Sequence, residues 1–63
     1  MSNVLFIIEA HVLKDIRRGD WETTSYEFAS RNKADIKLKS LENHLYNEVN
    51  LDHIHDFYII TNF

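Results

Sequence analysis

The chain has 63 residues and a formal charge of −3, from 7 Lys and Arg against 10 Asp and Glu, and it holds one glycine and no cysteine. That length allows one domain, occupying residues 1–63, and excludes two. The lack of cysteine excludes disulfides, thiolate metal sites and thiol nucleophiles, and the acidic balance leaves no basic footprint for nucleic acid.

With 44% hydrophobic and 13% aromatic residues the composition is that of a folding domain rather than a disordered one. So small a domain buries only about 60% of its unfolded surface, which makes a second subunit the expected supplement to its stability. The apolar run Val4 to Ile8 follows no basic segment and precedes no cleavage site, so it does not read as a signal peptide. No stretch approaches the length of a membrane span. The chain is therefore expected to be a complete small gene product of the cytoplasm.

From Val4 to Val12 the even positions, Val4, Phe6, Ile8, Ala10 and Val12, are all apolar. The odd positions, Leu5, Ile7, Glu9, His11 and Leu13, are about half apolar. Period two predicts a strand, and apolar residues on both faces predict that it is central. The sole glycine, in Lys14 to Asp20, places a turn there, and Trp21 to Ser30 reads as a second strand. A three-residue loop, Arg17-Arg18-Gly19 with a left-handed glycine, pairs even residues with even. It sets Ala10 opposite Tyr26, Ile8 opposite Phe28 and Lys14 opposite Glu22.

Asn32 is suited to cap a helix whose stripe is Ala34, Leu38, Leu41, Leu45 and Val49, with Ile36 off the stripe and exposed. Ala34 to Lys39 also alternates, so a strand there with a helix beginning at Ser40 is the rival reading. Leu51 to His55 reads as a loop and Asp56 to Asn62 as a third strand. The fold class is then α+β: a small ββαβ domain with a three-stranded antiparallel sheet, order 2-1-3, and one helix on one face. The opposite face has no cover. It carries Leu5, Ile7, Leu13 and Trp21 with either Tyr58 and Ile60 or Phe57 and Ile59, around Glu9, His11 and Glu27. An exposed apolar patch of this kind marks an interface, here with a second copy or another protein.

Chemistry-bearing motifs are few. His53-Ile54-His55 has the spacing of a metal pair on an extended segment, with His11, His44 and Glu9 as further ligand candidates, and a polar loop is the simpler reading. No phosphate-cradling glycine loop, nucleophile elbow or paired catalytic motif is present, so neither enzyme activity nor a cofactor is expected. Arg17-Arg18-Gly19-Asp20 contains an adhesion tripeptide, which reads as turn chemistry in a chain with no export signal. On the helix, Arg31, Lys33 and Lys37 lie towards the N-terminal end and Glu48 and Asp52 towards the C-terminal end, an order that opposes the dipole.

Small size, globular composition, absence of catalytic motifs, a single glycine, no proline and a spare apolar face together give the whole chain a style of its own. In that style it resembles small phage-encoded proteins that disable host machinery, among them inhibitors of CRISPR, restriction and BREX-type defence. The resemblance implies a non-enzymatic inhibitor or modulator, a homodimer, that occludes a site on a larger host defence or transcription protein. Its contact candidates are Leu5, Ile7, Leu13, Trp21, the Arg17 and Arg18 tip, and Ile36 on the outer face of the helix. The alternative is a small nucleic-acid-binding regulator using the Arg17 and Arg18 tip with the basic start of the helix, and the acidic balance argues against it.

Overall fold

The computed structural model describes residues 5–63. The elements run β1 (Phe6–Asp15), β2 (Asp20–Phe28), α1 (Arg31–Asn50) and β3 (Asp56–Asn62). The strands form one antiparallel sheet in the order β2-β1-β3, the arrangement expected from the sequence. Val4 lies outside the described residues, and β1 extends past Val12 to Asp15.

The hairpin register corrects the expected one by two residues. Ile8 faces Tyr26, Phe6 faces Phe28 and Val12 faces Glu22. The cause is an irregularity between Leu13 and Asp15, which carries the ladder on to Asp15 opposite Asp20 and leaves Ile16 to Gly19 as the turn. Asp15 organises that turn: its Oδ1 accepts from the Arg17 and Arg18 backbone N–H groups at 3.0 and 3.4 Å. Gly19 supplies the left-handed residue at φ 65°. Because the shift is even, no side chain changes face, and the division of the sheet into two faces survives it.

Core residues come from the even face of the sheet and one stripe of the helix. Ile8 and Ala10 pack with Ala34, Leu41, Leu45 and Ile54, and Phe6, Val12, Tyr26, Phe28, Leu38, Val49, Phe57 and Ile59 close the edges. Helix α1 takes in all of Ala34 to Lys39, so the rival strand there does not form. Its cap is Ser30, not Asn32. Ser30 holds extended backbone (φ −120°, ψ 128°), and its hydroxyl accepts from the Lys33 N–H at 3.5 Å. Ser30→Ala is therefore expected to cost about 0.5–2 kcal/mol in a denaturant titration. Asn32→Ala, in the first turn, should cost measurably less, and the reverse order would return the cap to Asn32.

The helix stops by a Schellman motif. Asp52 takes the left-handed conformation (φ 61°), the Asp52 N–H donates to the Val49 carbonyl at 3.1 Å, and the His53 N–H reaches the Glu48 carbonyl at 2.9 Å. Apolar contact often joins the two residues that close this motif; here His53 Nδ1 and Glu48 Oε2 meet at 2.8 Å instead. Ile54 then turns into the core, and the His55 N–H donates to the Leu13 carbonyl at 2.9 Å, tying the loop to β1 before β3 begins.

Candidate binding face

Opposite the helix, odd residues of β1 and their register partners make the outer face of the sheet. His11 lies between Thr23 on β2 and Tyr58 on β3, Glu9 between Ser25 and Ile60, and Leu13 between Trp21 and Asp56. The β3 register settles which pair comes here: Tyr58 and Ile60 face outwards, while Phe57 and Ile59 join the core.

The centre of this face is a stack of rings. His11 lies flat on Tyr58, centroids 4.5 Å apart and planes within 6°, and Trp21 tilts against the same Tyr58 at 5.3 Å. His11 Nδ1 is 2.9 Å from the Thr23 hydroxyl, which fixes the imidazole against turning. Glu9 Oε1 is 3.3 Å from His11 Nε2, yet this ring nitrogen is buried without a partner in hydrogen-bond geometry, so the contact is one of proximity rather than direction. Trp21, Tyr58 and Ile60 remain 45%, 48% and 48% exposed. Beside Trp21, a shallow concavity of ≈ 280 Å³ opens between Lys14, Asp20 and Glu22.

The expected contact residues fall on three separate surfaces. Leu5 is exposed just before β1, Trp21 is exposed on the outer face and Ile7 is half-buried there. Leu13, between Trp21 and Asp56 in the register, is buried, at 9% exposed. Arg17 and Arg18 stand at the exposed turn, where Arg18 Nε approaches Asp15 Oδ2 to 3.8 Å, so part of the positive charge is answered within the hairpin. Ile36 is exposed on the helix, away from the sheet face.

His53 and His55 are both exposed, on either side of buried Ile54. His53 is engaged by Glu48 in ending the helix, and His11 and Glu9 lie together on the outer face of the sheet. Among the described residues no three His, Cys, Asp or Glu side chains gather where a metal ion would sit. No described helix is long and apolar enough to cross a membrane.

The sequence left the β3 contributors open between Tyr58 with Ile60 and Phe57 with Ile59, and the signal that decides between them is the pairing of His11 with Tyr58 that the register creates. Comparison of the chain with protein-family models, with curated proteins and with solved structures returns no match.

Proposed function

We propose that the chain is a non-enzymatic protein-binding domain, a homodimer, that occludes a site on a larger protein through the outer face of its sheet. One observation carries this: Trp21, Tyr58 and Ile60 stay about half exposed on the face that the helix does not cover. Aromatic residues held in a fixed stack are effective anchors, since little side-chain freedom is left to lose on binding. The polar groups around them, Glu9, Thr23 and Ser25, suit a rim that gives specificity. The resemblance to phage-encoded counter-defence proteins then points to a host defence or transcription protein as the target.

Capture of partners by tagged protein from a host lysate tests the reading when it is run beside two variants. Trp21→Ala is expected to weaken capture of a specific protein about thirtyfold, as removal of a 2 kcal/mol anchor does. Ile36→Ala, on the helix, should leave it unchanged. Loss with Ile36→Ala and not with Trp21→Ala would move the contact to the helix. Capture that falls steeply with added salt and needs Arg17 and Arg18 would favour nucleic acid instead.

A further inference from the structure

We propose that two copies of this chain pair through the outer edges of their β3 strands, antiparallel about a two-fold axis normal to the sheet, giving one continuous sheet that spans both subunits. This rests on the homodimer in the proposed function and names its surface. Strand β3 is at one end of the order β2-β1-β3, so among the described residues no strand pairs with its outer side, although one of its N–H groups, that of Phe57, is taken up by the Asp56 carboxylate at 2.8 Å. Edge strands that avoid self-pairing carry lysine, proline, a bulge or a cover. β3 carries none of them. Its residues are Asp56-Phe57-Tyr58-Ile59-Ile60-Thr61-Asn62, with a single charge at the first position, and its ladder to β1 runs without a register shift. The helix packs chiefly on β1 and β2 and leaves this side of the sheet less covered.

The strand also complements itself. Full overlap of two seven-residue strands puts the axis at Ile59, so that Ile59 faces its own copy, Tyr58 faces Ile60, Phe57 faces Thr61 and Asp56 faces Asn62. Every opposed pair then shares a face, aromatic meets β-branched, and no two carboxylates meet. Tyr46, exposed on the helix with its ring 5.0 Å from that of Phe57, extends the apolar strip above this edge. The other edge behaves differently. Strand β2 carries Asp20, Glu22 and Glu27 and no basic residue, so a β2 to β2 pairing gathers carboxylates with nothing to answer them. Association therefore closes at two subunits, with acidic strands at both ends and both outer faces on the same side of the joined sheet.

Sedimentation of the full chain across micromolar concentrations is expected to show a monomer–dimer equilibrium. Ile60→Lys should weaken the dimer about tenfold or more while circular dichroism stays that of the parent. Ser25→Lys, on the outer face of β2, should leave association unchanged. Because the natural chain has no cysteine, Tyr58→Cys mixed with Ile60→Cys should give an intersubunit disulfide on mild oxidation, since opposed residues stand about 4.5–5.5 Å apart. A strict monomer, or growth into larger polymers, would overturn the edge pairing. So would a dimer untouched by Ile60→Lys, and so would one broken by Ser25→Lys, the latter placing the contact on the sheet face and keeping the homodimer. Target capture lost through Trp21→Ala is read separately, so either idea can fail alone.

Discussion

Replacing Ile8 with alanine is expected to cost about 2–5 kcal/mol, against a total stability of about 3–9 kcal/mol for a chain of this length. Among the described residues Ile8 is the largest side chain that is completely buried, at 0% exposed, and it belongs to the central strand. Its neighbours in the core include Ala10 and Ala34, whose methyl groups are fixed to strand and helix backbone and have no reach with which to fill a gap. The cavity should therefore persist, which places the cost in the upper half of the range. Urea titration followed by circular dichroism reads it directly as a lower midpoint, and a change below 1 kcal/mol would mean that the core closes around the lost volume. In a homodimer, raising the protein concentration should restore part of the loss, because association favours the folded state by mass action.

Alternation was strong enough in β1 to assign both its faces and its central place, since an edge strand has no reason to carry Leu5 and Ile7 opposite an already apolar Phe6, Ile8 and Val12. The helix was legible for a similar reason. Its stripe runs through Leu41, Leu45 and Val49 well beyond the ambiguous stretch from Ala34 to Lys39, and once a helix exists there, extension back to Ser30 buries Ala34 as well. Register was harder. Parity requires only that even residues meet even, and both the expected pairing and the observed one obey it. What separates them is the irregularity after Leu13 and the two N–H groups that Asp15 takes up, neither of which any hydrophobic pattern records. For β3 even parity was open, because Phe57 with Ile59 and Tyr58 with Ile60 are equally apolar pairs. The choice depends on where the loop delivers the chain, and that is decided by Asp52 and Ile54. Consequently the ring stack of the candidate face, which needs His11 opposite Tyr58, was out of reach of the sequence although His11 and Trp21 were each placed on the correct side.

Ile54→Ala carries the second large effect, and it tests how the loop between helix and β3 is held. Flanked by exposed His53 and His55, Ile54 is only 4% exposed and packs in the core cluster, outside every periodic pattern in the chain. Truncation should cost about 2–4 kcal/mol, since the site combines near-complete burial with a loop able to relax in part. His53→Ala provides the contrast. It removes the 2.8 Å contact with Glu48, an exposed pair whose contribution is expected at about 0–1 kcal/mol. Hydrogen exchange should show where the Ile54 loss falls: amides of β3 and the His55 N–H, which the loop presents to the Leu13 carbonyl, should open well before those of the β1 and β2 hairpin. If β3 is also the edge that joins two subunits, Ile54→Ala should weaken the dimer although it touches no interface, because the strand that pairs is no longer held flat against β1. Equal costs for Ile54→Ala and His53→Ala, with exchange spread evenly over the sheet, would show that the helix stop alone positions β3 and that Ile54 merely fills space.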